Sequence, residues 1–324
     1  MILSVKIFSE NDFKINSSVT GKKIWIRILY DKILFLKSIY FYLPDQPLVR
    51  RILNKTAVPR IKITNTEYKY KKVTRISVED QFLITLIKLR RATPDFELAA
   101  MFETSKKTIQ NIIITWINFM ALEWSEINLW PSKELTKYYM PEGFKETYPT
   151  TKVILDSTEF PIEVPSNPTL KQSSFSNYKH RNTMKNVVGV GPDGLIIYCS
   201  QSYGGSTSDR AIVERSDLFK KCEPRDSIMA DKGFIIEDLF APHDVFVNIP
   251  SFRKGQTQLP GIIISRDRKL ANKRVHVERV IGLAKTYKIL KVELKRYYVP
   301  LASEIFFICC MLCNFRNNIM SDAS

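Results

Sequence analysis

The chain is poor in cysteine, histidine and glycine, with 5 Cys, 3 His and 11 Gly among 324 residues. The cysteines are Cys199, Cys222, Cys309, Cys310 and Cys313, and none precedes Cys199. An odd number without framework spacing argues against a secreted scaffold stapled by disulfides. Cys309, Cys310 and Cys313 have the spacing of a metal site, but no His or second Cys pair lies near them, so they read as thiols of a core helix. His180, His243 and His276 read as packing or surface residues, and no Ser-His-Asp arrangement accompanies them. The few glycines form neither a phosphate-binding loop nor a dinucleotide fingerprint. A long uncharged apolar run is also missing. Ile305 to Cys313 is too short to span a bilayer, and Ile24 to Leu43 carries Arg27, Asp31, Lys32 and Lys37. The N-terminus lacks a signal-peptide layout, so the chain reads as intracellular with no membrane partner. There is no internal repeat and no low-complexity tract.

Acidic residues are in deficit too. Lys and Arg total 49 against 33 Asp and Glu, a formal charge of +16. A solvated surface explains such an excess, and so does a polyanionic partner, since DNA rewards cationic proteins through counterion release. With 44% hydrophobic and 11% aromatic residues the chain is globular, and its length allows two or three domains.

Four regions follow one another: a basic N-terminal segment at 1–72 with no assignment, a helical domain at 73–125, a linker at 126–150, and an α/β domain at 151–320. Ser77 with Asp80 predicts a capped helix start, and Phe82, Leu83, Leu86 and Ile87 form an apolar stripe. Thr93-Pro94 opens a second helix with Leu98, Met101 and Phe102 as its core face. Thr104-Ser105 caps a third, striped by Ile109, Ile112, Ile113, Trp116 and Met120. Lys106, Lys107, Gln110 and Asn111 lie mostly opposite that stripe. A short helix, a tight turn and a helix with a polar, basic leading end form a helix-turn-helix pattern that offers those four residues to DNA. The competing reading is a small helical domain whose polar face is only wet. Pro131, Pro141 and Pro149 read as breaks in the linker.

Beyond the linker, strand and helix signals alternate, which predicts a mixed sheet with flanking helices. Lys152 to Asp156 and Ser227 to Asp231 are short buried strands, each ending on an Asp. Asn186 to Val190 and Leu195 to Ser202 flank the turn Gly191-Pro192-Asp193-Gly194 as a hairpin, Val245 to Ile249 is a further strand, and Arg266 to Leu290 is a long helix. On that helix Glu278 borders the stripe Val277, Val280, Ile281 and Ala284, and Arg274 and Lys285 share its strip, as basic neighbours that meet DNA phosphate. Two carboxylates at strand ends and one on a helix can meet at one point, where oxygen ligands suit a hard divalent cation. Taken singly, Asp156 and Asp231 read equally as capping residues, and Glu278 as an i, i+4 partner of Arg274. Glu159 is a neighbouring carboxylate, and Asp209 follows Gly204 and Gly205 at a helix start. Lys179, Arg181 and Lys185 interleave with Phe175, Tyr178 and His180, as on a surface that grips a nucleic-acid strand, or as in a solvated loop.

In order, DSTEFPIEVP, FSNYKHRNTMKNVVGVGPDG, YGGSTSDR, IMADKGF and RVHVERVIGLAK resemble the DDE superfamily endonuclease domain of Harbinger-type (PIF/Harbinger-like) transposases, from about Ser77 to Asn317. The resemblance implies a ribonuclease H-like fold with Asp156, Asp231 and Glu278 as catalytic and metal-holding triad. Asp209 and Glu159 would be auxiliary, and two Mg²⁺ ions, with Mn²⁺ as substitute, the cofactors. It implies DNA hydrolysis or strand transfer in the nucleus, with DNA as partner and a homodimer or an accessory DNA-binding protein as further expected partners. Relatives often carry a zinc-binding THAP module upstream, whose Cys ligands residues 1–72 lack. The alternative is a domesticated, catalytically inactive DNA-binding protein.

Overall fold

The computed structural model describes residues 76–251 and 260–315, so the readings of residues 1–72 fall outside the described residues. Two units are present, one of residues 76–88 with 93–119, the other of 89–92 with 120–251 and 260–315.

The first unit carries α1 (Val78–Arg91), α2 (Asp95–Met101) and the start of α3 (Lys106–Ser125). Each start has a local cause. Ser77 Oγ accepts from the Asp80 amide at 3.0 Å, Pro94 stands at the N-cap of α2, and Ser105 Oγ accepts from the Thr108 amide at 3.1 Å. The turn between α2 and α3 holds Glu103 at φ 48°, a left-handed conformation that most side chains resist. Ile84, Ile87, Leu98, Ile109, Ile112 and Ile113 form the core, with the Phe82 and Trp116 rings 5.1 Å apart. Met101, expected on the core face of α2, is exposed instead; the short helix turns only Asp95, Leu98 and Ala99 fully inward. A buried ion pair fastens the three helices. Lys88 Nζ sits 2.7 Å from Asp95 Oδ1, and Gln110 Nε2 donates to Asp95 Oδ2 at 3.1 Å.

In the second unit the stretch read as a broken linker forms α4 (Lys133–Tyr139) and α5 (Glu142–Thr147). Its prolines stand at element ends, where they do no harm: Pro141 is the N-cap of α5, and Ser132, after Pro131, caps α4. Met140 and Phe144 are buried. Lys152, itself buried, donates to Pro131 O and Thr136 Oγ1 and so ties this segment to the first strand.

That strand, β1 (Thr151–Pro161), is followed by α6 (Pro168–Ser174), β2 (Phe175–Ser176), β3 (Arg181–Val190), β4 (Ile196–Cys199), β5 (Tyr203–Gly204), α7 (Asp209–Glu214), α8 (Leu218–Lys221), β6 (Ser227–Met229), α9 (Glu237–Phe240), β7 (Phe246–Asn248), α10 (Gly261–Ala284) and α11 (Ala302–Asn314). β3 lies antiparallel to β1, and β6 and β7 run parallel to β1, so the strands stand in the order β2-β3-β1-β6-β7, with β4 and β5 also pairing antiparallel to β3. An antiparallel meander feeding a parallel half, with helices on both sides, is the ribonuclease H-like arrangement. The β3–β4 turn uses Gly194 at φ 87°. One face buries Val153, Leu155, Val187, Ile212, Ile228, Phe234 and Phe240. α10 packs on β1 and β3, α11 packs on β4, and the Phe160 ring of β1 stacks on the Phe306 ring of α11 at 5.9 Å.

Several boundaries differ from expectation, β3 starting at Arg181 rather than Asn186 and β6 ending at Met229 rather than Asp231. β1 does not stop at Asp156 but continues to Pro161, because β3 pairs with it along that whole length. The long helix begins at Gly261 and ends at Ala284, leaving a separate 3₁₀ turn at Lys288–Leu290. With the preceding 3₁₀ turn, Arg296–Asn314 is long and apolar enough to cross a membrane by length and composition, yet Ile305, Phe306, Ile308, Cys309 and Cys310 are buried within this unit.

Candidate active site

The parallel pairing of β1 with β6 positions the first two acids. Ile154 pairs with Met229, the last residue of β6, and Asp156 and Asp231 each stand two residues beyond that pair. β6 ends at Met229, so at Asp156 the sheet opens on that side while β3 still covers the other, through Val188. Asp156 therefore projects at the place where its parallel neighbour stops, although it is not at the end of its own strand. Asp231 opens a tight turn that closes when the Phe234 amide donates to its carbonyl at 2.9 Å. Its side chain is exposed.

Glu278 sits exposed on α10, one turn after the buried Arg274. Arg274 is not free to meet phosphate as the sequence reading had it. Its Nη1 donates to Asp231 Oδ1 at 2.9 Å, a contact between elements that the i, i+4 pairing with Glu278 did not suggest.

The electrostatics tie the set together. Burial pushes the Asp156 carboxyl up to about 6; its own bond from the Ser157 amide and the charge of Arg274 oppose that rise, and Glu278 and Asp231 add to it. Lys285, half-buried just past α10, is held below the usual lysine range by burial and then by Lys179, while Asp156 and Glu159 pull it upward. Asp156 thus feels Arg274, Glu278 and Asp231, and Lys285 feels Lys179, Asp156 and Glu159.

Beside this set, Lys185 on β3 stands 3.5 Å from Glu159 Oε1 and 3.6 Å from Asp209 Oδ1, and Thr183 Oγ1 donates to Glu159 Oε2 at 2.8 Å. Lys185 is therefore an internal cation between two carboxylates rather than part of an open basic loop. Asp209 begins α7, whose N-cap Ser208 accepts from the Ala211 amide. A Cβ built on Gly233 would stand 3.8 Å from Asp209 Oδ2, which sets the start of α7 beside the turn after Asp231. Asp209 Oδ1 is buried with no hydrogen-bond partner among the described residues. Lys179 and Arg181 are exposed, and the Lys179 ammonium lies 4.5 Å from the Tyr178 ring centre. In the helical unit Lys106, Lys107 and Asn111 are exposed, whereas Gln110 is half-buried on Asp95.

The oxygen-rich donor set suits a hard divalent cation, and the repulsion that Glu278 and Asp231 exert on Asp156 is a feature that a cation relieves. Among the described residues no group of three His, Cys, Asp or Glu side chains is gathered closely enough to hold a metal, and Asp231 is engaged by Arg274. Thr183, Lys185 and Gln110 acquire structural partners that sequence spacing cannot reveal, since each partner lies on another element.

A ribonuclease H-like sheet with carboxylates at its parallel edge, preceded by a helix-turn-helix, is the class these elements define. Comparison with family models agrees: residues 155–314 match DDE superfamily endonuclease, and residues 74–126 match the helix-turn-helix of DDE superfamily endonuclease. Over these two regions the chain is similar to a DDE superfamily endonuclease domain and to its helix-turn-helix. No curated protein and no solved structure matches it.

Proposed function

We propose that the chain is a transposase-like DNA nuclease of the Harbinger type that cuts, and can transfer, DNA strands with Asp156, Asp231 and Glu278 as its working carboxylates. The observation that carries this is the parallel pairing of β1 with β6 up to Ile154 and Met229, with Asp156 and Asp231 each two residues beyond that pair, together with the charges of Asp231 and Glu278 that act on Asp156. Those three side chains would hold Mg²⁺, or Mn²⁺ in its stead, at two positions. When bound, such ions supply charge stabilisation and an activated water or 3′-hydroxyl for in-line displacement at phosphorus. Lys285 and Lys179 meet the phosphates flanking the scissile bond, Lys185 keeps Glu159 and Asp209 in place, and the helix-turn-helix holds the duplex through Lys106, Lys107 and Asn111. DNA in the nucleus is the substrate, with a second copy of the chain or an accessory DNA-binding protein as companion.

Supercoiled plasmid nicking tests this. The wild-type chain should nick with Mg²⁺ or Mn²⁺ and not with EDTA. Asp231→Asn and Glu278→Gln should each lower the rate by roughly a hundredfold or more, since even outer partners of metal ligands are worth 10–100-fold. Glu278→Gln should leave DNA affinity nearly unchanged, so equal loss of binding and nicking would make Glu278 structural. The second reading, a DNA-binding protein without turnover, is favoured by the Arg274–Asp231 bond. Salt-dependent DNA binding without cation-dependent nicking would select it.

A further inference from the structure

The pair between Arg274 and Asp231 is lopsided. The arginine side chain is 10% exposed and the aspartate side chain 53%. The guanidinium is rooted within the fold and cannot leave, while the carboxylate reaches solvent and can change partner. Arg274 Nε is buried with no hydrogen-bond partner among the described residues, so the bond to Asp231 leaves the guanidinium only partly satisfied. The same charge also acts on Asp156, where it opposes the repulsion from Glu278 and Asp231. One guanidinium therefore compensates two of the three carboxylates.

From this geometry we infer that Arg274 is a built-in counter-cation of the carboxylate site, and that a divalent cation loads only by taking Asp231 away from it. The inference rests on the metal-holding role of Asp231 proposed above. Two physical effects follow. The incoming ion and the guanidinium compete for the same carboxylate oxygens, and the ion then sits near a fixed positive charge that repels it. Both lower the intrinsic cation affinity of the site. In return, the carboxylates keep a cationic partner when no ion is bound, so the site retains its shape between loadings. Arg274 is on this view a positioning residue that touches neither DNA nor the reacting atoms.

The test is calorimetric titration of Mn²⁺ into the full chain in the absence of DNA, for wild type, Arg274→Gln, Arg274→Lys and Asp231→Asn, with melting temperatures recorded in EDTA. Arg274→Gln should bind Mn²⁺ about tenfold more tightly than wild type, the ratio that an interaction of about 1.4 kcal/mol makes. Arg274→Lys keeps the charge but lacks the planar fork, and should bind more tightly than wild type by a smaller factor. A folded Arg274→Gln chain that binds Mn²⁺ no more tightly than wild type overturns the inference. If that variant does not fold, Arg274→Lys decides in the same way. Asp231→Asn separates the two claims. Loss of Mn²⁺ binding there, with no gain at Arg274, sinks the role of Arg274 alone. Undiminished binding in Asp231→Asn removes Asp231 from the metal site and takes the underlying reading with it.

Discussion

A carboxylate buried beside other carboxylates has a pH signature that can be worked out by sign. The folded pKa of Asp156 is raised from 3.8 to about 6. The stability this contributes is present below the unfolded value and disappears as pH rises through about 6, because above it the folded state must bury a charge. Without divalent cations, Asp156→Asn should therefore melt higher than wild type at pH 8, by the equivalent of about 2–3 kcal/mol. The gap should shrink below pH 6 and close near pH 4. Thermal melts in EDTA at these pH values check it, and equal melting at pH 8 would show that Asp156 is not strained by its charge. At this scale the sequence was informative about residue type and poor on partners. Asp156, Asp231 and Glu278 stood out because apolar runs or a helical stripe flank them. Arg274 with Asp231, and Lys185 with Glu159 and Asp209, join residues far apart in the chain, and nothing in local spacing encodes such a meeting.

Among the elements, α3 and the β5 turn give the sharpest tests. Lys106 and Lys107 open α3 exposed, just after its Ser105 cap. The double variant Lys106→Ala, Lys107→Ala should weaken DNA binding across sequences and reduce the slope of log affinity against log salt by about one unit for each phosphate that is no longer neutralised. Fluorescence-anisotropy titrations at several salt concentrations measure that slope, and an unchanged slope would mean that α3 only packs. Gln110 belongs to a different job, since it holds Asp95 in the buried pair with Lys88. The β5 turn tests close approach. A Cβ on Gly205 would stand 2.1 Å from Thr183 Oγ1 and 2.9 Å from Ser174 O, so Gly205→Ala should destabilise by at least about 2 kcal/mol. Denaturant unfolding measures the change, and a variant as stable as wild type would mean that α6 and β5 are not packed as described. Helix starts were legible because Ser77, Pro94 and Ser105 act locally. Strand ends were not, because β1 runs on past Asp156 only as long as β3 pairs with it, and that pairing is a tertiary matter.

For the molecule as a whole, the alternation of strand and helix signals pointed to the mixed α/β class, and the cap-and-stripe pattern to the helical unit before it. The order of strands needed the structure, since which strand lies beside β1 is decided by packing over long chain distances. The proline-rich stretch before β1 misled for a related reason. Pro131 and Pro141 look like breaks in one dimension, while in three they start or precede α4 and α5, whose neighbours Met140 and Phe144 are buried. The formal charge of +16 finds an account in the DNA-directed families that the two regions match.

The pairing of β1 with β6 also bears on how the chain reaches its native state. The β3–β4 hairpin closes across a few residues, but Thr151 meets Ser227 only after everything between them has been gathered in. Loop closure over such a separation is slow compared with a hairpin, and parallel pairing has no tight turn to guide it. The meander should therefore condense first and β6 dock late. The approach of the Asp231 turn to Asp156 is then among the last events of folding, and a nascent chain would hold most of its sheet before it brings these two carboxylates near one another.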